Sequence, residues 1–65
     1  MEPWQEHVIR EREDLLVKIK SLDNFIESST VFKNLSTHEQ QLLKDQAWAM
    51  IYYDEALEAR IKAFK

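Results

Sequence analysis

The sequence predicts an all-α protein, an antiparallel two-helix hairpin that assembles into a helical-bundle homo-oligomer. Three observations carry this expectation. Glycine is absent and the single proline stands at position 3, so nothing beyond the N-terminus breaks a helix. Apolar residues recur at spacings of three and four along two long stretches, the period of a helix with one buried face. The second stretch, Leu42 to Phe64, carries apolar side chains on more of its surface than one partner helix can cover.

A chain of 65 residues makes one domain whose core lies near the lower limit for independent stability. Cysteine is absent, so neither a disulfide nor a cysteine zinc site can staple it. Long, well-packed helices and self-association are what remain.

Helix 1 is expected over about residues 3–28, roughly 39 Å at 1.5 Å per residue. Pro3 suits a first helical turn, where a missing N–H costs nothing, and Glu2 and Glu6 favour the positive end of the helix dipole. Trp4, Val8, Leu15, Ile19, Leu22 and Ile26 form one stripe, widened by Ile9, Leu16 and Phe25. Arg12 interrupts that stripe. A long aliphatic stem there can cover apolar surface while the guanidinium meets an acid on the other helix or an anionic ligand.

An apolar turn is expected over residues 29–36. Ser28, Ser29 and Thr30 compete for backbone hydrogen bonds and disfavour continuation of the helix. Val31, Phe32 and Leu35 are too apolar for a solvated loop, so they should form a short helical turn plugging the end of the hairpin. Ser36 with Glu39 three residues on is a capping-box signature.

Helix 2 then covers about residues 37–63. Leu43, Gln46, Met50, Tyr53, Leu57, Arg60 or Ile61, and Phe64 make the seam expected to face helix 1. Trp48 or Ala49, Tyr52, Ala56, Ala59 and Ala63 lie on another side. Small residues permit close helix approach and the rings add large apolar area, so Trp48, Tyr52, Ala56, Ala59 and Ala63 are the candidate oligomer interface. The basic end Arg60, Lys62 and Lys65 is expected to return beside the acidic start Glu2, Glu6, Glu11 and Glu13.

Function classes narrow quickly. Twelve acidic against nine basic residues give a net charge of −3, and the basic residues are scattered, which disfavours duplex DNA as a partner. No apolar run approaches the roughly 20 residues of a membrane span, and the N-terminus is too acidic for a signal peptide; a soluble protein without a membrane partner is expected. His38-Glu39 lacks the second histidine of a metalloprotease helix, since position 42 is leucine. His7 and Glu11 alone do not make a metal site. Asp54, Glu55 and Glu58 have no cavity in which to act as acid or base, and without glycine there is no phosphate-cradling loop. No catalytic residue, cofactor or metal is expected.

The pattern His7-Val8-Ile9-x-Glu11 through Leu15, Lys18-Ile19-x-x-Leu22, Phe25-Ile26-x-Ser28, Phe32-x-x-Leu35, Leu43-x-x-Gln46, Ala49-Met50, Tyr53, Leu57 and Arg60-Ile61 resembles a family of small phage early proteins. Their hairpin is similar to that of the anti-CBASS and anti-Thoeris cyclic-nucleotide sponges. The resemblance covers nearly the whole chain, mostly at core positions. It implies an oligomer that, in the sponge members, holds cyclic oligonucleotides between subunits without hydrolysing them. In those members a tyrosine near the start of the first helix stacks on a base and a later lysine contacts the ligand. Lys20 is similar in context to that lysine, while the tyrosine's place falls near Gln5, with Trp4 beside it.

The chain also resembles the small helical proteins encoded between the exonuclease and excisionase genes of lambdoid phages, which modulate host physiology through protein partners. The first reading is therefore a non-enzymatic phage accessory protein, acting in the host bacterial cytoplasm by binding a host protein. The alternative is an anti-defence sponge for cyclic oligonucleotide signals, with Trp4, Arg12, Lys18 and Lys20 as ligand-binding candidates.

Overall fold

The computed structural model describes residues 1–64. Among them the chain forms three helices and no strand: α1, Pro3–Ser28; α2, Thr30–Asn34; and α3, Thr37–Lys62. Pro3 opens α1, and Gln5 Oε1 accepts a hydrogen bond from the Glu2 N–H at 2.8 Å, occupying one of the donors that a helix start leaves without a partner.

Serine chemistry ends α1 and begins α2. At Ser29 the backbone turns extended (φ −79°, ψ 129°), and its N–H donates to the Phe25 carbonyl at 3.1 Å. Its Oγ then accepts from the N–H groups of Val31 and Phe32 at 3.1 and 3.3 Å. One residue thus terminates one helix and caps the next.

Where a short helical turn is expected, the connection holds the five-residue helix α2; the expected plug is corrected in one respect. Only Phe32 of the expected apolar plug is buried, its ring edge-on to Phe25 at 6.0 Å. Leu35 is half-buried and Val31 points outward, 60% exposed, because a helix this short has room for one inward residue. Gln40 of α3 fastens the connection: its Nε2 donates to the carbonyls of Phe32 and Leu35 at 2.9 and 3.2 Å. These carbonyls belong to the helix end that has run out of intrahelical donors.

Ser36 Oγ caps α3 by accepting from the Glu39 N–H at 3.1 Å. At the other end the Ala63 N–H is shared between the carbonyls of Ala59 and Arg60, both at 3.2 Å. Arg60 and Lys62 in the last turn suit the negative pole of the dipole.

Val8, Leu15 and Leu57 are buried together, with Ile19, Met50, Ile61 and Phe64 packed against them. Early residues of α1 meet late residues of α3: the Trp4 and Phe64 rings stand edge-to-face at 5.2 Å. The contact face of α3 differs from the seam expected for it. Gln46, Tyr53 and Arg60 are exposed, whereas Ala47, Asp54 and Glu58 are half-buried. On this face Asp54 and Glu58 meet Arg12, and Gln46 and Tyr53 lie outside it.

The body measures 47 × 15 × 13 Å with a radius of gyration of 14.8 Å, against about 11 Å for a compact chain of this length. Its accessible surface is 5107 Å², where a globular monomer of this mass exposes about 4,400 Å².

Candidate functional site

Arg12, in the first half of α1, faces the second half of α3. Its Nε donates to Asp54 Oδ1 at 2.9 Å and its Nη2 to Glu58 Oε2 at 3.1 Å. Glu58 Oε1 in turn accepts from Lys62 Nζ at 2.8 Å, one helical turn on. The hydrogen bond to Asp54 raises the Arg12 pKa; desolvation opposes it, and the charges of Asp54 and then Glu58 add to the rise. Lys62, through its hydrogen bond and its charge, and then Arg12 hold the Glu58 carboxyl below its ordinary range. The structure gives Arg12 the inter-helix ion pair, with Nε and Nη2 each donating to one acid.

Of the basic end expected beside the acidic start of α1, Arg60 and Lys62 can be followed, while Lys65 lies outside the described residues. Among the described residues no carboxylate of α1 pairs with the basic end of α3; the cation comes from α1 and the acids from α3. Lys62 pairs along its own helix.

Trp4 is half-exposed, one side of its ring against Phe64 and the rest open to solvent. Gln5 is engaged in starting α1. Lys18 and Lys20 are exposed on α1, and among the described residues neither has an acidic partner within salt-bridge distance. Successive turns of an α-helix advance 100° per residue, so Lys18 and Lys20 sit about 160° apart around α1. One chain therefore does not bring Trp4, Arg12, Lys18 and Lys20 together.

The concave features of a single chain are shallow. Met1, Glu6, Ile9, Arg10 and Glu13 line an open groove of about 320 Å³. A second, of about 250 Å³, is lined by Glu55, Glu58, Ala59 and Lys62. Both carry at least as many acids as bases, the wrong balance for a polyanion. Among the described residues no group of three or more His, Cys, Asp and Glu side chains could hold a metal ion, and no helix is long and apolar enough to cross a membrane.

The largest unpartnered feature is the outer face of α3. Trp48, Tyr52, Ala56, Ala59 and Ala63 are all exposed, as are Leu42, Ala49 and Tyr53. Tyr52 is 69% and Trp48 63% exposed, which for rings on a helix buried on its opposite side leaves a long apolar strip in water. The sequence reading did not find the Asp54–Arg12 pair. Its signal was present: Asp54 is a lone acid on the apolar row between Met50 and Leu57, as Arg12 is a lone base between Val8 and Leu15.

These features define a small all-helical protein with a long exposed helix face and two shallow, open grooves. The family model named Sequestin matches residues 2–63, and the chain belongs to that family. It is similar to an uncharacterized 7.5 kDa protein from the denB–rIIB intergenic region of Enterobacteria phage T4, with 42% identity over 62 residues that cover 95% of each chain. The sequence is that of a small phage protein. No solved structure gave a significant match.

Proposed function

We propose that this protein is a non-enzymatic phage accessory protein that works by sequestration. In this reading helical hairpins assemble into a homo-oligomer, and a cyclic oligonucleotide signal of the host is held between subunits, unhydrolysed, in the host cytoplasm. Membership of a family named for sequestering carries the choice of sequestration over other forms of host modulation. The structure supports placing the ligand between chains. Lys18 and Lys20 are exposed and without acidic partners among the described residues, yet they diverge around α1, so convergence on one phosphate-bearing ligand needs a second subunit. Trp4 offers an open ring face of the kind that stacks on a base.

Calorimetry against a panel of cyclic di- and trinucleotides tests this reading. Expected are tight binding of at least one member, a loss of ten-fold or more in Lys20→Ala, and recovery of intact ligand after heat denaturation. Absence of binding at high micromolar ligand ends the sponge mechanism. Recovery of cleaved ligand ends the non-enzymatic reading.

A second reading, binding of a host protein, draws on the exposed strip of α3 and the net negative charge. A stoichiometric foreign protein retained by the phage protein, in the absence of nucleotide binding, selects it.

A further inference from the structure

The outer face of α3 has an internal symmetry. Leu42, Asp45, Ala49, Tyr52, Tyr53, Ala56, Arg60 and Ala63 are all exposed, and at 100° per residue they fall within one arc about 100° wide, opposite the face that packs on α1. Leu42 and Ala63 stand at equal distances on either side of the Tyr52–Tyr53 step. So do Asp45 and Arg60, and so do Ala49 and Ala56. Each feature on one half of the strip thus has a complement on the other: small against small, apolar against apolar, and acid against base.

The charged members are available for such pairing. Among the described residues Arg60 has no carboxylate within salt-bridge distance and Asp45 no base; Asp45 accepts only from the Gln41 side-chain amide at 2.9 Å. A surface that is complementary to itself when reversed is what a two-fold isologous contact requires. A parallel arrangement would instead stack Asp45 on Asp45 and Arg60 on Arg60, and like charges at one level repel.

We propose that the outer face of α3 binds the same face of a second copy antiparallel, on a two-fold axis between Tyr52 and Tyr53, with Asp45 of each copy paired to Arg60 of the other. The four central tyrosines cluster around the axis. Ala49 and Ala56 let the backbones approach, Leu42 covers Ala63 at each end, and Trp48 lies along the rim. The contact runs for about 32 Å at 1.5 Å per residue and covers the apolar strip that one chain leaves in water. It deepens the oligomer assumed in the proposed function by fixing which faces meet and in which register.

The native chain has no cysteine, so single substitutions report geometry directly. In the full chain Tyr52→Cys should cross-link to itself on mild oxidation. Ala63→Cys alone should not, because its two copies lie about 32 Å apart, but Ala63→Cys mixed with Leu42→Cys should give the mixed dimer. Asp45→Arg and Arg60→Asp, exposed positions that leave the fold intact by circular dichroism, should each weaken dimerisation in sedimentation by roughly tenfold or more. The double exchange should restore it. Self-linking of Ala63→Cys, or single reversals without effect, overturns the register while leaving an oligomer standing. A folded monomer at micromolar concentration overturns both, and ligand binding by that monomer would show that sequestration does not depend on this contact.

Discussion

Arg12 Nε donates to Asp54 Oδ1 at 2.9 Å across the contact between α1 and α3, which joins the two long helices through a pair of charges. With Asp54 turned inward, Leu57 comes to lie at the centre of the core and the Tyr52–Ala56–Ala63 side turns to solvent. If this polar pair on an apolar stripe positions the helices, its loss should cost more than the loss of one surface ion pair. Arg12→Ala removes the cation and leaves Asp54 half-buried without its partner, which is costlier than removing both. Thermal denaturation should show a larger fall in Tm for Arg12→Ala than for the double variant Arg12→Met/Asp54→Leu; equal falls would mean that the pair does not position the helices.

Glu58 gives the fold an acid limb. Its pKa is lowered in the folded chain by Lys62 and Arg12, so its contribution to stability is present above its ordinary value of 4.5 and is lost as pH falls through the lower folded value. The raised pKa of Arg12 acts only at extreme alkaline pH, so Arg12 stays charged throughout the acid limb. Chemical denaturation between pH 7 and pH 2.5 should therefore show a decline that begins below about pH 5. The decline should be shallower in Glu58→Gln. Parallel profiles for the two proteins would remove Glu58 as a source of the acid sensitivity.

Leu57 is the most enclosed side chain of the described residues, 1% exposed. Leu57→Ala should cost about 2–5 kcal/mol, the range for a buried leucine whose surroundings cannot collapse around the gap. In a core this thin that loss should leave much of the chain unfolded at room temperature, read as lost helical circular dichroism. The exposed control Leu42→Ala should leave the helix signal unchanged at low protein concentration.

The connection is held by the side chains of Ser36, which is exposed, and Gln40, which is half-buried. Ser36→Ala should cost about 1 kcal/mol, as for other lost N-terminal caps. Gln40→Ala frees the carbonyls of Phe32 and Leu35 and should raise hydrogen exchange selectively at the first turns of α3, within a similar total loss. Uniform exchange along α3 in that variant would show that Gln40 does not fasten the turn.

How much of this was written in the chain can be judged residue by residue. Helix starts were legible because they depend on local chemistry: Pro3 at one, and Ser36 before Glu39 at the other. The stripe Val8–Leu15–Ile19 was legible because burial follows a helical period. The contact face of α3 was not, since it includes a contact between residues 42 positions apart, and spacing alone ranked Tyr53 with the core as readily as Asp54. The short helical turn at Val31–Leu35 was legible from its apolar residues, but the double role of Ser29, which ends α1 and caps α2, was not, since no single-helix signal describes it. Of the candidate ligand residues, Trp4, Lys18 and Lys20 could be recognised as exposed chemistry, but whether they converge is a property of the assembly.

The edge-to-face contact of Trp4 with Phe64 also has a spectroscopic use. The chain holds two tryptophans, one closing the α1–α3 pair at its open end and the other, Trp48, standing in water on the flank of α3. Of the two, only Trp4 has a ring partner among the described residues, so Trp48→Phe leaves a probe of fraying where the helices come together and Trp4→Phe a probe of whatever settles beside α3. Folding, assembly and ligand capture can then be timed separately by intrinsic fluorescence, without attaching a dye.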